Sequence, residues 1–112
     1  MTILVQASRA AGFILSSLGN LSMDSVTLAA GPALPAGQVL ARDAGTGHYA
    51  PYDNASDTLG TAAAILYAPT GVRSEPEHAA VVSRLAEVIE SELTGLDAPA
   101  AVNLDSRHII VR

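Results

Sequence analysis

The chain has no cysteine, no lysine, no tryptophan and a single phenylalanine in 112 residues. Without cysteine, disulfides and thiolate metal sites are excluded. Without lysine, all six cations are arginines, at positions 9, 42, 73, 84, 107 and 112, and they stand apart from one another. A protein that neutralises phosphates carries basic clusters. Scattered arginines on a chain of net charge −5 therefore exclude nucleic acid as a partner. Long apolar runs are also missing, and none approaches the roughly 20 residues of a membrane helix. The N-terminus lacks the basic and apolar regions of a signal peptide. These absences predict a protein made and kept in a soluble compartment, with no membrane partner. Charge is sparse as well. Charged residues make up 15% of the chain against 49% apolar, where soluble domains average roughly 25% charged. A chain of this length is one domain with a modest core. With that balance it leaves apolar surface outside, which in stable proteins is covered by another protein. An oligomer or docked subunit is expected.

What is present is strand and turn chemistry. From residue 26 to 67, short runs of Val, Leu, Ile and Tyr are cut by Gly31-Pro32, Pro35-Ala36-Gly37, Gly45-Thr46-Gly47 and the polar stretch 53–57. Strands are expected at 26–28, 38–42 and 48–52, the last returning antiparallel after a hairpin loop at 44–47. Pro51 makes that strand an edge or its end. Residues 61–67, the most apolar run, belong in the sheet core, and 69–76 form an exposed loop. Between 79 and 93, Val81, Val82, Leu85, Val88, Ile89 and Leu93 fall at helical spacing, while Ala80, Val82, Arg84, Ala86 and Val88 also alternate as a strand would. Pattern alone favours the helix. Gly95 stops it, Ala98-Pro99-Ala100 reads as a turn or connector, and 109–111 read as a closing strand. The first 25 residues are too broken to build a core. They suit either an ordinary first strand or an extended arm that gains order by pairing with something else, with Phe13 flanked by Ile14 and Leu15 as its anchor.

No reactive constellation emerges. His48, His78 and His108 lie in three elements without metal-ligand spacing, so no metal and no cofactor is expected. Ser, His and Asp are all present, but there is no Gly-x-Ser-x-Gly elbow. Glu87, Glu90 and Glu92 read as a solvated face. The glycines form no phosphate-cradling loop, and Gly45-Thr46-Gly47 is a turn. A turn-rich domain with no such site reads as an interaction protein and not an enzyme.

The order of motifs carries a resemblance. Ser25-Val-Thr-Leu-Ala-Ala-Gly31, Leu34-Pro-Ala-Gly-Gln-Val-Leu40, Gly47-His-Tyr-Ala-Pro-Tyr52 and Ala64-Ile-Leu-Tyr67 resemble the lambda-type head decoration proteins of tailed bacteriophages. The likeness continues through Ala80-Val-Val, Arg84, Ala86-Glu-Val88, Glu92-Leu-Thr94 and Ile109-Ile-Val-Arg112. Phe13-Ile-Leu-Ser-Ser, with Asn20 and Ser22, resembles the family's lead-in. The chain departs from the family's pattern at Thr58-Leu59-Gly60, at Val82-Ser83-Arg84-Leu85 and at Gly95, where a tryptophan is common.

The resemblance implies a mostly β, β-clip-like antiparallel fold, with strand over 79–88 and one short helix near 89–94. It implies an N-terminal arm at 1–25 and a single decoration domain at 26–112. It further implies a homotrimer on the outer capsid surface of the virion. That trimer would be made in the bacterial host cytoplasm, bind the major capsid protein and stabilise the expanded head against the pressure of packed DNA. On this reading Phe13, Ile14 and Leu15 contact the shell. Removing residues 2–18 should then leave a folded trimer that no longer binds it. The alternative is a capsid-independent β-clip module that binds a small ligand in a groove near Gly37 and Asp43.

Overall fold

The computed structural model describes residues 12–17 and 22–112. The apolar run at 3–5 and Asn20 lie outside the described residues. Along the chain come β1 (Ile14–Ser17), β2 (Met23–Leu28), β3 (Val39–Arg42), β4 (Tyr49–Pro51), β5 (Ala62–Leu66), β6 (Glu77–Val82), β7 (Ala86–Val88), a 3-10 turn at Glu90–Glu92, α1 (Ala98–Asp105) and β8 (Ile109–Val111). The mostly β architecture expected from the sequence is what forms.

Five strands close into a barrel in the order β2-β4-β3-β5-β6, and β1-β7-β8 make a separate three-stranded sheet. Antiparallel pairs dominate. Two pairings are parallel, β2 with β4 and β7 with β8. The β2–β4 seam is a single residue pair, Leu28 with Tyr49, supported by the Ala29 amide donating to the Tyr49 carbonyl at 2.8 Å.

Successive strand residues point to opposite faces, and in β3, β5 and the end of β6 both faces are buried. Leu28, Leu40, Ala64, Leu66 and Val81, joined by Leu34, form one apolar cluster. All but Leu34 come from barrel strands, so this cluster fills the barrel. Val39, Ala41, Ala62, Ile65 and Val82 point the other way, into a second cluster with Phe13, Val88, Leu104 and Ile109. The barrel wall is thus sandwiched between its own interior and the layer of β1-β7-β8 and α1. The apolar run at 61–67 reads as core for this reason, and every residue of β5 is buried.

The same geometry corrects the helical pattern at 79–93. Val81 and Val82 are adjacent and fully buried, one in each cluster. Two-sided burial therefore imitated the i, i+1, i+4 spacing of a helix. The segment is β6 and β7, broken at Leu85, whose φ of 55° is incompatible with either regular element. The short helix expected near 89–94 is a single 3-10 turn. The α-helix lies further on, at Ala98–Asp105, where a turn or connector was expected. Pro99 is tolerated there because it sits in the first turn, where its missing N–H has no helical partner anyway. Asp97 caps the helix, its carboxylate accepting from the Ala100 amide at 2.8 Å. Ala100 and Leu104 form the buried stripe. Asn103 ties the helix to the barrel by accepting from the Ala62 amide at 3.0 Å.

Candidate functional site

β1 is the outer strand of its sheet. One side pairs with β7, and among the described residues the other backbone edge has no strand against it. Such an edge is a template for an added strand. The pairing slips by one residue between Ile14 and Ser16, which makes Leu15 the extra residue of a bulge. Bulges re-aim side chains at sheet edges, and Leu15 is 53% exposed, a large apolar group held outward. The three residues expected to contact a partner therefore separate. Phe13 is 1% exposed and belongs to the core, its carbonyl accepting from the Ile89 amide at 2.8 Å. Ile14 is half-buried against the same core. Leu15 alone of the three faces out.

Glu87, on the central strand, clasps the sheet together. It accepts from the Ser16 hydroxyl on β1 at 3.0 Å and from the Arg112 guanidinium, just past β8, at 2.8 Å. These bonds, Arg112 first, hold its carboxyl below the usual glutamate range. Residues within 1–25 are thus built into the body. β1 is one strand of the sheet, and β2 runs through the expected boundary at 25/26. Residues 1–11 and 18–21, the rest of the expected arm, lie outside the described residues.

At Gly37, where one wall of a ligand groove was expected, the space is occupied. Gly37 has a φ of 88°, and a Cβ there would stand 2.4 Å from the Glu92 carbonyl oxygen. The 3-10 turn packs directly on it, with Val39 donating to Thr94 at 2.9 Å and Thr94 to Gly37 at 3.0 Å. A half-open cleft of about 340 Å³ lies elsewhere, lined by Glu90, Leu96, Asp97, Ala98, Ala101 and Val111. Its Asp97 is already engaged by the α1 cap and by the Tyr52 hydroxyl at 2.9 Å. Burial, reinforced by that carboxylate, pushes the Tyr52 phenol up. His48 precedes β4, His78 stands opposite Thr27 on β6, and His108 precedes β8 with a φ of 60°. Among the described residues no three metal-ligating side chains gather.

The family model for the bacteriophage lambda head decoration protein D matches residues 3–109. The chain belongs to this family. No curated protein is similar enough to the chain to count as a match. Membership in the head decoration family gives the protein a role in decorating the phage capsid, association with that capsid and a place in the virion.

On this head decoration protein, sequence reasoning missed one residue. Arg73 falls in the stretch read as an exposed loop, yet it is 4% exposed. Its Nε donates to the Ala29 carbonyl at 2.9 Å. Its Nη1 reaches the carbonyls of Pro32 and Gly71, each at 3.1 Å, and the Thr70 hydroxyl at 2.7 Å. The loop is held against 31–34 by backbone bridges of Gly31 with Arg73 and Leu34 with Thr70. A charged residue amid Gly, Thr and Pro gives no periodic signal. The hint was an arginine among turn residues whose free carbonyls need donors.

Proposed function

We propose that the protein is a cement protein, a homotrimer seated at three-fold and quasi-three-fold positions on the outside of the expanded head. There it bridges capsid subunits and resists the outward pressure of packed DNA. The observation that carries this reading is the family match, which spans the chain almost end to end. Sparse charge and apolar excess support a protein whose surface is covered by copies of itself and by a shell. Each contact needs only modest area, because repetition over a shell compounds weak contacts.

The segment leading into β1, together with the β1 edge and Leu15, is the shell-binding part. Its mode is strand addition, in which backbone hydrogen bonds supply affinity and Leu15 fills a pocket. Ile14 supports it from the core side. Phe13 holds the strand in place from within.

Removing residues 2–18 would also remove Phe13, and loss of a buried Phe costs about 3–5 kcal/mol. The informative truncation therefore ends at residue 11. Full-length protein mixed with undecorated heads should produce three-fold knobs in electron micrographs and raise the temperature at which the heads rupture. The 2–11 deletion should keep its circular dichroism and its trimer but lose decoration. Normal decoration by the truncated protein would remove the arm from the mechanism. Sedimentation of the full-length chain as a monomer at micromolar concentration would remove the trimer.

A further inference from the structure

β1 joins its sheet with little help from burial. Of its four residues only Ile14 is partly buried, and Leu15, Ser16 and Ser17 are exposed. A strand with one face in the core has its register set by that face, and an exposed strand does not. Two registers with β7 are therefore open once Ile14 stands opposite Val88. In the regular one Leu15 stands opposite Glu87 and Ser16 opposite Ala86. In the one that forms, Ser16 stands opposite Glu87 and Ser17 opposite Ala86, with Leu15 as the extra residue. A bulge disrupts the ladder locally, so this one needs a cause.

The cause is the side chain at 87. Its two carboxylate oxygens serve the two flanking strands separately. Oε1 accepts from Arg112, from Nη2 at 2.8 Å and Nε at 3.3 Å, and Oε2 accepts from the Ser16 hydroxyl at 3.0 Å. In the regular register a leucine would stand opposite that carboxylate, and Oε2 would lose its donor. Ser16 would meanwhile stand opposite Ala86, which is buried and belongs to the core. Residues directly opposite share a face of the sheet, so the hydroxyl would turn from a charged acceptor toward apolar neighbours. A hydrogen bond to an ionised group is among the strong ones. Here it decides between two ladders that burial leaves close.

The register matters because β1 is the outer strand of its sheet. A slip of one residue exchanges the residues that face each side. It would lay Leu15 opposite Glu87 and abolish the bulge that re-aims it. We propose that Glu87 is a positioning residue for shell binding. By holding Ser16 it fixes β1 in the bulged register, and Arg112 holds Glu87 in place to do so. The shell-binding half rests on the function proposed above, and the register half stands without it.

Ser16 is exposed and Glu87 partly so, so Ser16→Ala and Glu87→Ala spare the core. Ser16→Thr keeps the hydroxyl and serves as the rescue. Ala86 turns its amide toward β8, donating to the His108 carbonyl at 3.1 Å. With β1 it therefore forms a non-hydrogen-bonded pair, the kind whose Cα atoms lie closest. Nuclear Overhauser contacts from the Ala86 Hα thus report the register in the free, full-length protein. Wild type should show the contact to Ser17. Ser16→Ala and Glu87→Ala should move it to residue 16. They should also bind undecorated heads about tenfold more weakly or worse, because only the bulged fraction is competent. Ser16→Thr should recover both, and circular dichroism of all four proteins should be the same. A contact that stays on Ser17 in both alanine variants overturns the lock. A contact that moves while head binding stays at the wild-type level overturns the positioning role. Failure of Ser16→Thr to recover the bulge overturns the part given to the hydroxyl. Wild type that does not decorate heads sinks the shell-binding function, and the Ala86 contacts then decide the register lock by themselves.

Discussion

Single positions carry much of this fold. Gly37 sits at φ 88° with the Glu92 carbonyl where a side chain would begin. Gly37→Ala should destabilise the protein by about 1–3 kcal/mol from backbone strain alone. The clash adds to this, since the 3-10 turn must lift off Val39. A chemical-denaturation midpoint unchanged from wild type would contradict that packing. Arg73 shows the limit of reading residues one at a time. Its burial depends on carbonyls of Ala29, Pro32 and Gly71, and Ala29 and Pro32 are some forty positions away in sequence. No local pattern encodes such a convergence. Phe13 was legible as important because a lone aromatic between Ile and Leu supplies much buried area. Whether it faced its own core or outward was not, because both environments favour the same chemistry.

Elements show why some of the architecture was readable and some was not. β3, its hairpin and β5 followed from turn residues and short apolar runs, and the Asp43 carbonyl closes the hairpin by accepting from the Gly47 amide at 2.7 Å. β6 deceived, because Val81 and Val82 are buried on opposite faces and so hide the period of two where the two strands meet. α1 hid behind Pro99, although Asp97 two residues earlier is the capping signal that makes a proline there a helix start. The sheet β1-β7-β8 makes a pH prediction of its own. Glu87 has a depressed folded-state pKa. It therefore contributes stability that is fully present above the ordinary glutamate value and is lost as pH falls through the lower, folded one. Amide exchange in β1 should speed up as pH falls below the ordinary glutamate value, beyond the intrinsic pH effect on exchange. Glu87→Gln should flatten that response. If the substituted protein responds as wild type does, the clasp is not what titrates.

At the scale of the molecule, the barrel has one weak seam. β2 and β6 pair over six residues, whereas β2 and β4 share one. Local opening is cheapest where the fewest contacts break. The Ala29 amide, which bridges that seam, should therefore exchange about tenfold faster or more than the Leu66 amide, which bonds the Gln38 carbonyl at 2.9 Å inside the closed wall. Equal protection at both would mean that the barrel opens as one unit. The bulged first strand has a mechanical consequence. Its ladder to β7 lies across the strand direction. Tension applied along β1 from its leading end meets the buried Phe13 ring first and is then borne by all the rungs together. Tension applied at right angles unfastens the rungs in turn. The molecule is accordingly stiff to traction along one axis and yielding along another, and the direction in which a partner hauls on it decides how much load it bears.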